Sequence, residues 1–315
     1  MRVFTTGSTG FVGRHVVREL LGKGYEVHAG VRNLSKLERL FGEEVKGYFV
    51  DFNDKDSIRE VFRKVKPDFV IHLIGILYEE KKKGITFEKV HYYYTKNLVE
   101  VSKEFGVKKF LFMSALGTND EAPSRYHQTK RWAEKEVINS GLNYTIFRPS
   151  IILGPEQRLF YDMFKITKLI PVVALPDFGN YQFQPVDVRD VACAYVEALK
   201  NPETDKKIYE LCGTKVVTFK ELLKDIFSHW NRKVLMIPMP KNLMFLAGLF
   251  VEKIVEPPPF SSDQIKMMWK PNVCGVLKDE AISNGIKVIC KREPIPYEES
   301  LKWALEKFDI IINRE

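Results

Sequence analysis

The stretch Arg2-Val3-Phe4-Thr5-Thr6-Gly7-Ser8-Thr9-Gly10-Phe11-Val12-Gly13-Arg14 decides the fold. Residues 2–6 read as a short buried strand. Gly7, Gly10 and Gly13 follow at three-residue spacing. Val12, Val16, Val17, Leu20 and Leu21 then give one apolar face at helical period. A strand that turns through glycines into a helix presents unpaired backbone N–H groups at a positive helix end. Such an end holds a phosphate or pyrophosphate. Gly7 permits the tight turn, Gly10 lets a ligand approach the backbone, and Gly13 lets the helix pack on the sheet.

Outward from that stretch, strand-like runs at 3–6, 26–31, 48–52, 69–74, 110–114 and 144–148 alternate with helical stretches such as 34–41, 57–65 and 86–105. Alternation of this kind predicts an α/β fold, a doubly wound parallel sheet covered on both faces. Residues 1–155 with about 183–213 form the dinucleotide-binding domain. Residues 156–182 and 214–315 form a smaller, mostly helical domain on the substrate side.

Ligands in this architecture lie at the carboxyl ends of the strands. The second strand ends Gly30-Val31-Arg32-Asn33. A ribose with a free 2′-hydroxyl usually meets an acid there. Val31 cannot accept that bond, whereas the planar fork of Arg32 matches a 2′-phosphate. The reading is therefore NADP(H) in preference to NAD(H). Asp51 can accept from an adenine amino group, with Phe52 against the ring; alternatively Asp51, Asn53 or Asp54 caps the next helix. Gly75 lets backbone pass close to the ligand. His72, inside an apolar run, reads as a core histidine. Residues 79–84, Glu-Glu-Lys-Lys-Lys-Gly, read as a solvated turn or a lip beside the cleft.

Tyr126 and Lys130 stand four apart on the helix that starts near Pro123-Ser124 and stops at Gly141, so they share one face. A tyrosine near pKa 10 exchanges protons poorly at neutral pH. A neighbouring ammonium favours the phenolate and lowers that pKa. The pair then predicts proton transfer to or from a carbonyl oxygen as hydride moves.

Bulk composition narrows the class. The chain has 315 residues, 45% hydrophobic and 29% charged, which excludes a disordered protein. The formal charge of +8 favours anionic partners. The lysines are spread rather than striped, which argues against nucleic acid. The histidines contain no H-E-x-x-H, and metal chemistry is not indicated. Cys193, Cys212, Cys274 and Cys290 show no C-x-x-C and read as buried thiols in a reducing compartment. The N-terminal strand is core, not a removable signal. No apolar run reaches the roughly 18 residues of a membrane span. The longest, 243–251, opens a helix over 243–255 that residues 256–260, Glu-Pro-Pro-Pro-Phe, terminate. It reads as a core helix of the smaller domain or, alternatively, as a surface for lipid, quinone or a membrane partner.

T-G-S-T-G-F-V-G at the start, Y-H-Q-T-K at 126–130 and F-R-P-S at 147–150 resemble the extended and atypical short-chain dehydrogenase/reductases. H-L-I-G-I-L-Y-E (72–79), V-H (90–91), M-S-A-L-G (113–117), F-R-P-S-I-I-L-G-P-E (147–156) and F-Q-P-V-D-V-R-D-V-A (183–192) are similar to one subgroup, the nucleotide-binding accessory subunit of respiratory complex I and its bacterial homologues. The resemblance implies a Rossmann domain with tightly held NADPH, which in the mitochondrial subunit serves structure. It implies Gly7, Gly10 and Gly13 at the pyrophosphate, Arg32 at the 2′-phosphate, and Asp51 with Phe52 at adenine. It implies Leu73, Ile74 and Gly75 along the ribose. Tyr126 and Lys130 would meet the nicotinamide, with Pro149, Ser150 and Ile151 beneath it. Thr9, Phe11, Val12, Met113 and Ser114 complete the cofactor set, and Ser114 joins Tyr126 and Lys130 as the catalytic group. The chain departs from the active pattern twice. The family's catalytic serine aligns near Ala115, one residue after Ser114, and its asparagine aligns with Tyr93.

Two functions fit. One is an oxidoreductase or epimerase acting on a small-molecule substrate, a sugar nucleotide or an isoprenoid- or quinone-like carbonyl. The other is a non-catalytic subunit or assembly factor of a membrane respiratory complex. The expected location is the cytoplasm, with a peripheral position at the inner face of the membrane as the alternative. An oligomer would pair the helices before and after the fifth strand.

Overall fold

β1 (Arg2–Thr6) is the inner strand from which the sheet is wound in both directions; the computed structural model describes residues 1–254 and 260–313. The chain runs on through α1 (Phe11–Gly22), β2 (Glu26–Val31), α2 (Leu34–Phe41), β3 (Val45–Phe49), α3 (Lys55–Val65) and β4 (Phe69–His72). Then follow α4 (Tyr94–Glu104), β5 (Lys109–Met113), α5 (Arg125–Asn139) and β6 (Tyr144–Pro149). Local chemistry sets the helix starts. Asn33 caps α2 by accepting from Lys36 N at 2.8 Å, and Asp54 caps α3 by accepting from Asp56 N at 2.9 Å.

After β7 (Ile152–Leu153) come α6 (Arg158–Leu169), β8 (Val172–Pro176), β9 (Gln182–Phe183), β10 (Val186–Asp187), α7 (Val188–Ala198) and β11 (Lys207–Leu211). The chain closes with β12 (Val217–Thr218), α8 (Phe219–His229), β13 (Leu235–Met239), α9 (Lys241–Ile254), α10 (Ser262–Met267), α11 (Gly285–Cys290) and α12 (Tyr297–Ile312). The main sheet has seven parallel strands in the order β11-β6-β5-β4-β1-β2-β3. Strand order reverses between β1 and β4, so the ligand crevice of a doubly wound sheet opens there. One apolar layer joins α1, α2, α7 and α11 to the sheet, and the other joins α3, α4 and α5.

Two expected elements are displaced. The third strand pairs over Val45–Phe49, earlier than the expected 48–52. Val50 and Phe52 are apolar because they are buried beyond the last paired residue. The helix expected over 86–105 begins as a π-helical turn, Glu88–Tyr93, before α4.

The smaller domain packs α6, α8, α12, β8 and β13 around Phe160, Leu222, Leu223, Ile226 and Phe308. Thr218 and Glu221 start α8 with a reciprocal capping box. Within the 214–315 stretch, Ile286 and Ile289 of α11 are buried in the large domain instead, against α7 and β11.

The cysteines are not free thiols. Cys193 pairs with Cys290 and Cys212 with Cys274, with Cα separations of 6.3 and 6.2 Å. Partners 97 and 62 residues apart leave no local spacing signal. Nor is α9 a core helix: only Met244 and Gly248 are buried in it. Val255 and the Glu256–Pro259 stop lie outside the described residues. No helix among the described residues is long and apolar enough to cross a membrane.

Candidate nucleotide site

The turn between β1 and α1 needs its glycines for different reasons. Gly7 has φ +73°, and a Cβ there would approach the Leu73 carbonyl carbon to 2.9 Å. At Gly13 a Cβ would meet Gly7 O at 2.1 Å, so α1 rests directly on the turn. Gly10 is the N-cap of α1 and is exposed, with no side-chain cap and no acid in the first turn. The first N–H groups of α1 therefore face an open, positive helix end.

Across the switch point, Leu73 is buried, Ile74 half-buried and Gly75 exposed. Thr9 and Phe11 are half-buried on the opposite lip, and Val12 turns into the core. At the end of β2, Arg32 is exposed. Burial, then the charges of Arg14 and Arg39, pull the Lys36 ammonium below its ordinary range. Arg14, Lys36 and Arg39 thus form a mutually repelling cationic group drawn from α1 and α2. Glu156 offsets part of it, 3.5 Å from Arg14. Lys36 went unnoticed in the sequence because it reads as an ordinary first-turn helix residue.

Asp51 is exposed at the next strand end, and its Oδ1 accepts from Asn53 N and Asn53 Nδ2 at 2.9 and 2.7 Å. Those bonds hold its carboxyl below the usual range. The helix cap belongs to Asp54. Phe52 is buried beside Tyr94.

Tyr126 and Lys130 are both buried on α5. Lys130 Nζ donates to the Met113 carbonyl at 2.8 Å and lies 5.2 Å from the centre of the Phe112 ring. A Cβ on Gly75 would come within 3.3 Å of that ammonium and 3.7 Å of His91 Nε2. The His91 ring meets the Tyr126 ring edge-on at 5.2 Å. Gly75, His91, Tyr126 and Lys130 therefore converge at the carboxyl end of β4. Burial pushes the phenol up to about 12 and the ammonium down to about 7. The protein groups by themselves thus do not favour the phenolate. The ammonium is directed at a carbonyl, and without a ligand both groups favour their neutral forms.

Ser114 is buried, but its Oγ lies 3.4 Å from Thr118 Oγ1. Ala115, with Phe87, is what packs against Tyr126. Ser150 Oγ is taken by Asn272, at 2.6 Å from Oδ1, and Ile151 N donates to the same oxygen at 3.2 Å. Pro149 is buried above them, and Met113 is half-buried.

His91, Asp263 and Asn272 escaped the sequence reading. Asp263 accepts from Arg125 N and Tyr126 N at 2.6 and 3.0 Å, so α10 closes the amino end of α5. Its partners are 138 and 137 residues away, beyond any periodic signal. His91 had a signal in the V-H pair at 90–91; in the structure it lies in the π-helical turn, one turn before Thr95, which bonds the core His72 at 3.0 Å. His72 also bonds Thr6 Oγ1 at 2.7 Å and is a satisfied core residue.

Residues 3–212 match the model of the NAD dependent epimerase/dehydratase family. The chain is 34% identical over 277 residues to the NADH dehydrogenase (ubiquinone) 1 alpha subcomplex subunit 9, mitochondrial, of Arabidopsis thaliana; the match covers 83% of this chain and 68% of that protein. Among solved structures, a nucleoside-diphosphate-sugar epimerase from Staphylococcus aureus superposes with a TM-score of 0.73 at 21% identity, over 96% of this chain and 100% of that one. The NADPH-dependent quinone oxidoreductase QOR2 of Escherichia coli, complexed with NADPH, superposes with a TM-score of 0.73 at 17% identity, over 95% and 98%.

Proposed function

The chain belongs to the NAD-dependent epimerase/dehydratase family, and on that premise we propose that it binds NADP(H) and reduces a carbonyl on a small molecule. The observation that carries this reading is the convergence of Gly75, His91, Tyr126 and Lys130 beside the uncapped end of α1. The residues present fit a dinucleotide. Gly7, Gly10 and Gly13 leave backbone N–H groups free for a pyrophosphate. Arg32, with the cations of Arg14, Lys36 and Arg39, suits a 2′-phosphate.

When bound, the nicotinamide supplies a hydride. Everything else falls to the chain. Tyr126 keeps its proton at neutral pH and can hand it to a substrate oxygen as that oxygen gains charge. Lys130 sits at Gly75, where a ribose hydroxyl can add to its Met113 bond. Its positive charge then favours the phenolate left behind. Phe87, Ala115 and Met267 exclude water from the phenol. The substrate class is a sugar nucleotide or a quinone-like carbonyl.

A second reading is supported by Ser114 and Ala115. With Ser114 directed at Thr118, Tyr126 lacks the partner that an efficient site would offer. A tightly held nucleotide would then stabilise the fold of a complex I-like subunit, in keeping with the name of the Arabidopsis relative. A cytoplasmic setting would need two disulfides kept oxidised there, as in intracellular proteins of hyperthermophiles.

The test is to denature the purified protein and identify the released nucleotide. NADPH or NADP is expected; none, or NAD alone, refutes the preference. Arg32→Glu should weaken NADPH by about tenfold more than NADH. Tyr126→Phe should remove turnover by roughly 10²-fold or more and leave nucleotide affinity unchanged. Retained nucleotide with no turnover in either protein selects the structural reading.

A further inference from the structure

Apolar side chains stand exposed along α9, on β13 that leads into it, and at the end of α6. α9 exposes Leu243, Leu246, Leu249, Phe250 and Ile254, each between 39% and 66%. At about 100° per residue these positions fall on one arc, away from the buried Met244 and Gly248. Gly248 seats the helix: a Cβ there would come within 2.8 Å of Ser262 N on α10. Helices of water-soluble proteins ordinarily bury such an arc. β13 leads straight into α9 through Pro240 and exposes Leu235 and Ile237. Beside Leu235, whose strand partner is Val172, Leu169 and Ile170 are 83% and 63% exposed.

Unpaired charge along these stretches is mostly positive, since the flanking acids are engaged: Asp177 pairs with Lys241 at 3.2 Å and Glu252 accepts from Ser262 on α10. No Asp or Glu occurs from Met163 to Pro176 or from Ile226 to Val251. Lys165, Lys168 and Lys233 are exposed within those stretches, and Lys253 lies on the arc itself. An open groove of about 770 Å³ runs between Val172, Phe227 and Leu235, with Lys224 and Lys233 on its walls.

We propose that this face docks on the surface of an anionic phospholipid bilayer. α9 lies in the plane of the headgroups with its apolar arc among the upper acyl segments. Lys165, Lys168, Lys233 and Lys253 pair with lipid phosphates. A second copy of the chain is a poorer occupant, because a two-fold contact would set these lysines against their own equivalents. The docking face is joined to the nucleotide site through α10, which packs on α9 and holds Tyr126 N through Asp263. The proposal does not depend on turnover.

Flotation of the full chain with vesicles tests it. The protein should float with phosphatidylcholine–phosphatidylglycerol vesicles and remain behind with phosphatidylcholine alone. L246E/F250E should lower binding by at least about tenfold, since two inserted apolar side chains are lost. K165E/K168E/K233E should weaken binding and flatten its salt dependence. Both variants alter exposed residues and should keep the wild-type melting temperature and nucleotide affinity. Wild-type protein that does not float overturns the proposal, as does L246E/F250E that floats normally. A wild-type dimer that L246E/F250E converts to monomer, without flotation of either, overturns it in favour of a second copy.

Discussion

Lys130 Nζ donates to the Met113 carbonyl at 2.8 Å, while Tyr126, one turn earlier on α5, stays a buried neutral phenol. With burial holding the ammonium down at about 7, Lys130 is mostly deprotonated at pH 8. An anionic dinucleotide raises that pKa, so NADPH binding at pH 8 should take up close to one proton. Calorimetry in buffers of different ionisation enthalpy measures the uptake directly. Lys130→Met should abolish it; an uptake that persists in this variant assigns the proton elsewhere.

Three neutral histidines make the fold acid-sensitive. Burial lowers His72 to about 3 and His127 to about 4, and it lowers His91 well below the usual range. The unfolded chain titrates them near 6.5. Between about pH 6.5 and 4 the unfolded state therefore binds protons that the native state refuses. Stability is full above that window and falls by about 1.4 kcal/mol per group per pH unit within it. Urea midpoints at pH 7.5 and 5.0 should differ accordingly. Equal midpoints would mean that the histidines are not buried as described.

Arg148 is wholly buried and grips Glu134 through two bonds, of 2.7 and 2.8 Å. Its third nitrogen reaches Asp279 at 2.6 Å, tying the C-terminal segment to β6 and α5. Arg148→Met leaves the buried Glu134 carboxylate to Arg131, at 3.1 Å, and should cost about 3 kcal/mol. Adding Glu134→Leu should return part of that loss, because the under-paired buried charge is then gone. Chemical denaturation of the single and double variants distinguishes this from a simple packing loss.

The two disulfides close loops of 97 and 62 residues. Loop entropy alone puts each near about 4–5 kcal/mol. Reductant should therefore lower the melting temperature markedly. Thiol titration of denatured, unreduced protein should find no free cysteine, whereas four titratable thiols would refute both pairings.

The opening strand, the glycine triplet and the strand–helix alternation specify the doubly wound sheet by local rules. Gly7 must take a positive φ, Gly13 must lack a side chain, and apolar period fixes each buried face. The placement of Arg32 at a strand end and of Tyr126 and Lys130 one turn apart on one helix was legible for the same reason. What the sequence could not encode locally was any relation set by chain return. Asp263 reaches Tyr126, Asn272 reaches Ser150, and Cys193 reaches Cys290 across long separations. The protonation of Tyr126 and Lys130 also belongs to tertiary structure. Spacing brings the two groups together, but burial sets their protonation, and here it shifts both toward their neutral forms. The apolar period of α9 marked a helix with a greasy face; only packing could decide that this face points to solvent.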